Sequence, residues 1–158
     1  MNEAVRHTGF IPLPPLIYLV ALLAGIALGL FVPLPWLGGV LADLLFAAGW
    51  IMAAGALALW FSAIRAMRRA DTTLNPKGTP DHLLTGGPFA VSRNPIYLGA
   101  TLFLIGIALI SANPWILLAA FAAAFLTGKL VIGREERILA ERFGKKYRDY
   151  AKRVRRWI

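Results

Sequence analysis

Long apolar runs separated by short polar stretches dominate the hydrophobic pattern of this chain. Four such runs occur, at about residues 16–32, 37–64, 96–110 and 115–132. A membrane-spanning helix needs roughly 20 residues at about 1.5 Å per residue. The first two runs meet this length, whereas the last two either extend further or form a hairpin that crosses only in part. The pattern predicts an all-α, polytopic membrane protein with about four transmembrane helices.

A shorter periodicity follows in residues 134–158. Apolar and aromatic side chains recur there at steps of three and four, namely Leu139, Phe143, Tyr147, Tyr150, Val154 and Trp157. Basic residues fill the other faces of this segment. The pattern predicts one amphipathic helix that lies on the membrane surface and is also placed to form the wall of a site.

Composition and charge agree with a membrane protein. Hydrophobic residues make up 58% of the 158 residues and charged residues only 16%, whereas soluble domains carry about 45–50% and roughly 25%. The net charge of +9 resides mainly between the second and third runs and after the fourth. The positive-inside rule places both basic regions in the cytoplasm, facing anionic lipid. We therefore expect no nucleic-acid partner.

The absence of cysteine narrows the possible chemistry. Without cysteine the chain has neither disulfides nor thiolate metal sites. The two histidines, His7 and His82, are too far apart in sequence for metal-ligand spacing, so we expect no metal site.

The first cluster of candidate functional residues precedes the third run. Gly86, Gly87 and Pro88 permit a tight turn with close backbone approach to a ligand. Pro95 suits the first turn of the next helix, whose free N–H groups favour a carboxylate. Taken alone, the segment is also typical of a loop that merely begins a membrane helix.

Glu135 and Glu136 form the second cluster, directly after the fourth run. Neighbours on a helix point about 100° apart, so one carboxylate can face inward while the other faces water or an arginine. Acidic residues are also common in the first turn of a solvated helix. A turn at residues 111–114 makes the last two runs an antiparallel hairpin, which brings the two clusters together.

The combined clusters suit a ligand with an amino-acid end. An ammonium group needs a carboxylate, and a carboxylate needs N–H donors or a cation. S-adenosylmethionine has such an end, and its adenine can stack on Phe89 or Tyr97.

The ordered motifs resemble the isoprenylcysteine carboxyl methyltransferase family and the related membrane phospholipid methyltransferases. The resemblance covers roughly residues 81–157 and rests on five motifs: Gly87-Pro88-Phe89, Arg93 through Gly99, Glu135-Glu136, Phe143 through Tyr147, and Tyr150. It implies a helical membrane enzyme that binds S-adenosylmethionine without a Rossmann fold. Residues 67–158 would then be the cofactor-binding half of a single domain, and residues 1–66 an N-terminal helix pair.

The resemblance also implies roles for individual residues. Cofactor contacts fall on Asp81, His82, Leu83, Leu84, Gly87, Phe89, Asn94, Pro95, Ile96, Tyr97, Glu135 and Glu136. Glu135 would take the cofactor ammonium, and Glu136 would support it or bind an arginine. Catalytic roles fall on Arg93, Asn94 and Arg134, of which either arginine could hold an anionic group of the substrate. The family often has histidine where this chain has Asn94, and asparagine cannot act as a base.

The sequence thus predicts methyl transfer by direct displacement at the cytoplasmic membrane face. The expected acceptor is lipophilic, either isoprenylcysteine carboxylate-like or phospholipid-like. One alternative is an NADPH-dependent membrane reductase of the sterol reductase type, against which the short chain and the Glu-Glu pair argue. The other is a non-catalytic membrane module whose basic tail binds anionic lipid.

Overall fold

Helices form all of the regular structure in residues 14–70 and 82–158, the two ranges that the computed structural model describes. The α-helices are α1 (Pro14–Phe31), α2 (Gly39–Arg69), α3 (Pro95–Ile110), α4 (Pro114–Thr127), α5 (Gly133–Phe143) and α6 (Lys145–Arg153). A 3-10 turn at Gly87–Ala90 precedes α3, and a π-helical turn at Gly128–Ile132 joins α4 to α5.

The lengths of these helices confirm a polytopic membrane protein. Three helical stretches in the described residues are long and apolar enough to cross a bilayer: α1, α2 and the stretch Pro114–Phe143 that runs from α4 through the π-helical turn into α5. The remaining apolar helix, α3, is shorter, at 16 residues. It begins at a proline, where the missing N–H removes no intrahelical hydrogen bond.

The C-terminal segment differs from the single amphipathic helix expected for residues 134–158. Gly144 has a φ of +53°, a conformation that side-chain-bearing residues rarely adopt, and it separates α5 from α6. The helix α6 then ends at Arg153, and residues 154–158, the C-terminal tail, are not helical. The steps of three and four continue across Gly144, so the periodicity alone did not indicate the break.

Small residues set the packing of the helices. The helix α2 packs mainly on α3, and α1 packs mainly on α4, so the α3–α4 hairpin lies at the centre. A Cβ atom at Gly106 would lie 2.9 Å from the carbonyl oxygen of Gly49, and one at Gly25 would lie 2.8 Å from the Cα atom of Ile116. In lipid, helix association depends on such close backbone approach because burial of apolar surface provides little driving force.

The uncharged connections meet at one end of the bundle. There the side chain of Asn113 accepts from the backbone N–H of Trp115 at 2.9 Å and caps α4. Its Nδ2 donates to the carbonyl of Gly25, and the indole of Trp115 donates to the carbonyl of Val32 at 2.7 Å. The chain direction of each helix therefore places the two polar clusters and the basic C-terminal segment at the opposite end.

We predict that Gly106→Leu destabilises the protein by about 1–3 kcal/mol, the usual cost of forcing extra methylene groups into a packed interior. The added side chain would push α2 away from α3 at the contact with Gly49. Thermal unfolding in detergent measures the effect. Gly55→Leu is the matched control, because no atom lies within 4 Å of a Cβ built at that exposed position. Equal unfolding temperatures for the two variants would contradict this packing.

Candidate functional site

The two polar clusters meet where α3 and α5 begin. The hydroxyl of Tyr97 donates to Glu135 Oε1 at 2.6 Å, and this contact joins residues 38 positions apart. It links the first turn of α3 to the first turn of α5. The prediction that the hairpin brings the two clusters together is therefore confirmed.

Glu135 has only part of its hydrogen-bonding capacity used. Its side chain is half-buried, and no side chain in the described ranges bonds its second oxygen, Oε2, or forms an ion pair with it. A partly buried carboxylate is stabilised by a cation or by several donors. The free oxygen therefore fits an ammonium group of a ligand.

Glu136 points to a different set of partners. Arg156 binds it through two parallel contacts, Nε to Oε1 at 3.0 Å and Nη2 to Oε2 at 2.6 Å. Arg93 Nη1 lies 3.1 Å from Oε1. The two adjacent carboxylates thus diverge as the helical geometry predicts. Two arginines of the protein neutralise Glu136, whereas Glu135 has no such partner among the described residues.

The C-terminal tail lies along the segment that leads into α3. The backbone N–H of Arg93 donates to the carbonyl of Arg155 at 3.0 Å. The carbonyl of Arg156 accepts from Ser92 Oγ at 3.2 Å and from Asn94 Nδ2 at 3.1 Å. Since Ser92 and Asn94 are buried, the tail supplies hydrogen bonds that these groups cannot obtain from water.

Asn94 therefore has a structural partner that its sequence position did not suggest. Its amide donates to a tail carbonyl 62 positions away. Its backbone N–H donates to Ser92 Oγ at 3.1 Å. These contacts fix the start of α3, and a role of Asn94 in catalysis or in cofactor binding stays a prediction.

Tyrosines of α6 complete this wall. The Tyr147 hydroxyl accepts from Arg93 Nη1 at 3.2 Å, and the Tyr150 hydroxyl donates to the carbonyl of Phe89 at 2.6 Å. Burial raises the pKa of Tyr150 to about 12 and also raises the pKa of Tyr147. Both phenols consequently keep their protons at neutral pH and serve as hydrogen-bonding groups rather than as bases.

The glycine turn before α3 has the geometry that its sequence indicated. Gly87 has a φ of +59°, which glycine adopts without strain. Phe89 is half-buried in the 3-10 turn, and Pro95 is fully buried as the first residue of α3. Ile96 is half-buried next to Tyr97.

The structure shows fewer contacts among the other residues that were predicted to bind the cofactor or to act in catalysis. His82 is exposed, and Leu83 and Leu84 are half-buried in a stretch without regular secondary structure. Asp81 lies outside the described residues. Arg134 is exposed at the start of α5, and its side chain has no ion-pair partner among the described residues. Arg93 is held by Glu136 and Tyr147, but its buried Nε atom has no acceptor there.

The π-helical turn orients Glu135. A π-turn inserts a residue relative to an α-helix and so rotates the following helix by about 100°. Here the turn lies directly before α5, and Trp157 of the tail packs over it, 3.9 Å from the position that a Cβ atom at Gly128 would occupy. The rotation helps to set which face of α5, and therefore which carboxylate, is directed at α3.

Three hydroxyl groups beneath the site were missed by the sequence analysis. The Tyr18 hydroxyl lies 2.7 Å from Thr101 Oγ1 and 3.3 Å from the carbonyl oxygen of Tyr97. Thr127 is fully buried, and its Oγ1 meets no hydrogen-bond partner within residues 14–70 and 82–158. The only signal in the sequence was the presence of single hydroxyl groups within otherwise apolar runs.

A comparison with known protein families identifies the family of this chain. The phospholipid methyltransferase family model matches residues 44–146, well over half of the chain. The matched segment contains Tyr97, Glu135 and Glu136, but not α1 or the C-terminal tail. No curated protein matches the chain. With its matched segment and its apolar helices, the chain belongs to the phospholipid methyltransferase family and is a membrane methyltransferase that acts on lipid.

Proposed function

We propose that the protein uses S-adenosylmethionine to methylate a lipophilic acceptor at the end of the bundle where α3 and α5 begin. The observation that carries this proposal is the pairing of Tyr97 with a Glu135 carboxylate whose second oxygen has no partner among the described residues. That oxygen suits the cofactor ammonium, and the ring of Phe89 or Tyr97 suits its adenine. When bound, the cofactor supplies a methyl group already activated by a sulfonium.

The protein's own residues then have positioning roles. Methyl transfer mainly requires alignment of the two reactants and exclusion of bulk water. Glu135 fixes one end of the cofactor, while α6 and the C-terminal tail cover the same region. Arg134, which is exposed, is the donor that we assign to anionic groups of the cofactor or the acceptor.

A phospholipid-like acceptor fits this arrangement best. Its phosphate would suit Arg134, and the matched family model describes phospholipid methyltransferases. An isoprenylcysteine carboxylate-like acceptor is the second candidate, because a carboxylate nucleophile needs no general base. If the phospholipid headgroup is methylated on an amine, that amine must first lose a proton to solvent, because Asn94 cannot take it up.

We assign the site to the cytoplasmic face. The basic residues of α5, α6 and the end of α2 lie at the same end of the bundle as Glu135. Anionic lipids of the cytoplasmic leaflet attract such segments by about 1 kcal/mol for each basic residue near the surface. We also assign cofactor binding to residues 67–158, which leaves α1 and α2 free to contact the acceptor.

Glu135→Gln should weaken the binding of S-adenosylmethionine roughly 10- to 150-fold. The substitution keeps the shape but removes the charge, and a hydrogen bond to a charged group is worth about 1.5–3 kcal/mol. Isothermal calorimetry of the purified variant in detergent measures the change.

Glu136→Gln is the matched control for this experiment. It should affect cofactor binding less, because Glu136 is directed at Arg93 and Arg156, and it should instead lower the unfolding temperature. Unchanged affinity in Glu135→Gln would show that Glu135 does not bind the cofactor.

Removal of the C-terminal tail, residues 154–158, should also weaken the binding of S-adenosylmethionine. The truncation leaves the buried donors of Ser92 and Asn94 without acceptors, at about 1–3 kcal/mol for each unsatisfied group. Arg156→Gln keeps the tail backbone and is the control. It removes one partly exposed ion pair, which is typically worth about 0.2–1 kcal/mol. If the truncated protein binds the cofactor as tightly as the parent, the tail is only a membrane anchor.

Single-cysteine labelling should find residue 82 on the cytoplasmic side and residue 35 on the opposite side. The chain has no natural cysteine, so His82→Cys and Pro35→Cys can each be read without background. A membrane-impermeant maleimide applied to sealed inside-out vesicles should modify only the cysteine at 82. Modification of both positions from one side would disprove this topology.

A further inference from the structure

The helix α1 contacts both helices of the α3–α4 hairpin. Tyr18 and Leu22 pack against a buried apolar cluster that includes Leu104 of α3 and Ile116 of α4. Further along α1, Gly25 lies so close to α4 that an added Cβ atom would be only 2.8 Å from the Cα atom of Ile116. The position of α1 therefore depends on α3 and α4 together.

Hydrogen bonds of Tyr18 join α1 to the first turns of α3. The Tyr18 hydroxyl lies 2.7 Å from Thr101 Oγ1 and 3.3 Å from the carbonyl oxygen of Tyr97. Thr101 Oγ1 lies 2.9 Å from the same carbonyl oxygen. Each of the two hydroxyls has one proton, so in either arrangement one hydroxyl donates to the other and the remaining proton goes to the Tyr97 carbonyl. Both protons are thus used within the protein, and the pair is a fixed connection between the helices.

This connection steadies the turn that bears the side chain of Tyr97. Apolar packing between membrane helices competes with equally apolar lipid tails, whereas interhelical hydrogen bonds favour one alignment of the helices. Thr101 is buried, so water does not compete for its bonds. Tyr97 is only the third residue of α3, and the ends of helices fray unless they are held.

The alignment of α1 affects the contact between Tyr97 and Glu135. The Tyr97 hydroxyl lies 2.6 Å from Glu135 Oε1. Glu135 is carried by the continuation of α4, which runs through the π-helical turn into α5. The helix α1 thus packs on the helix that leads to Glu135 and is hydrogen-bonded to the helix that carries Tyr97. Loss of the Tyr18 contact would free the gap between the two side chains to vary.

Resting on the proposed function, we propose that α1 fixes the spacing of α3 and α4 at the polar end, and that Tyr18 is a positioning residue that holds Tyr97 on Glu135 without contacting the cofactor. The family model begins at residue 44, so the matched segment gives α1 no such role. With Tyr97 held, Glu135 presents its second oxygen in one orientation. A binding group that is already ordered gives higher affinity, because less freedom is lost when the ligand binds.

Tyr18→Phe removes the hydroxyl and keeps the ring. It should lower the affinity for S-adenosylmethionine about 3- to 15-fold, the range that corresponds to measured hydrogen bonds between membrane helices. Thr101→Val should cause a loss in the same range, whereas Thr101→Ser keeps the hydroxyl and should retain the affinity of the parent. Isothermal calorimetry of the intact variants in detergent measures these changes.

Ser111→Ala is the matched control for these variants. Its hydroxyl also bonds carbonyl oxygens of α3, those of Ile107 and Ala108, but it lies at the opposite end of the helix and joins it to no other element. The affinity for S-adenosylmethionine should therefore stay unchanged in Ser111→Ala. A loss equal to that of Tyr18→Phe would show that removal of any hydroxyl from α3 weakens binding, and would overturn the positioning role.

A double-mutant cycle separates positioning from general stability. If Tyr18 acts through Tyr97, Tyr18→Phe should cost little further affinity in a Tyr97→Phe background, where Glu135 has already lost its partner. Losses that add in the double variant would show that Tyr18 merely stabilises the bundle. Unchanged affinity in Tyr18→Phe alone would equally overturn the positioning role.

A measurement without cofactor tests the role of α1 independently of the proposed function. The chain has no natural cysteine, so spin labels can be attached at Val91→Cys, just before α3, and at Arg137→Cys on α5, both exposed positions. Double electron–electron resonance should give a broader distance distribution in Tyr18→Phe than in the parent or in Ser111→Ala. Equal widths in all three would overturn the inference even if S-adenosylmethionine binds. Broadening in Tyr18→Phe with no binding of S-adenosylmethionine by the parent would overturn the proposed function instead.

Discussion

The hydrogen bond from Tyr97 to Glu135 is the contact on which the arrangement of the polar end depends. It closes the hairpin of α3 and α4 where α5 begins, and so places a carboxylate directly at the first turn of α3. The contact needs the glycine turn and Pro95 to start α3 at the right residue. It also needs the π-helical turn before α5, which directs Glu135 rather than its neighbour toward Tyr97.

The divergence of Glu135 and Glu136 gives two adjacent residues of the same type separate tasks. Glu136 is neutralised by Arg93 and Arg156, which ties α5 to the C-terminal tail. Glu135 keeps one carboxylate oxygen that has no partner among the described residues. An uncompensated carboxylate in a partly buried position is unfavourable, so a cationic group beside Glu135 would stabilise it. The chain belongs to the phospholipid methyltransferase family, and the hydroxyls of Tyr18 and Thr101 extend the polar region beneath Tyr97.

Much of the fold followed from periodicity and charge, and parts of the site did not. The apolar runs predicted the helices, and the 100° offset predicted that one of the two carboxylates could face inward while the other faced water or an arginine. Neither signal specified that the arginine would be Arg156, because ten basic residues follow the fourth run and nothing local selects one of them. The contact of Asn94 with the tail is equally long-range. The periodicity did not predict the break at Gly144, because the apolar steps of three and four continue across it. Tyr18 and Thr127 lie within apolar runs, and only the packing of the helices determines which groups their hydroxyls contact.

The central claim is that the polar end of the α3–α4 hairpin binds S-adenosylmethionine. Isothermal titration of the intact protein in detergent, with S-adenosylmethionine in one experiment and NADPH in another, tests this claim most directly. The account predicts saturable binding of S-adenosylmethionine with one site per chain and no binding of NADPH. Binding of NADPH alone would support a reductase instead, and binding of neither would contradict the role assigned to Glu135.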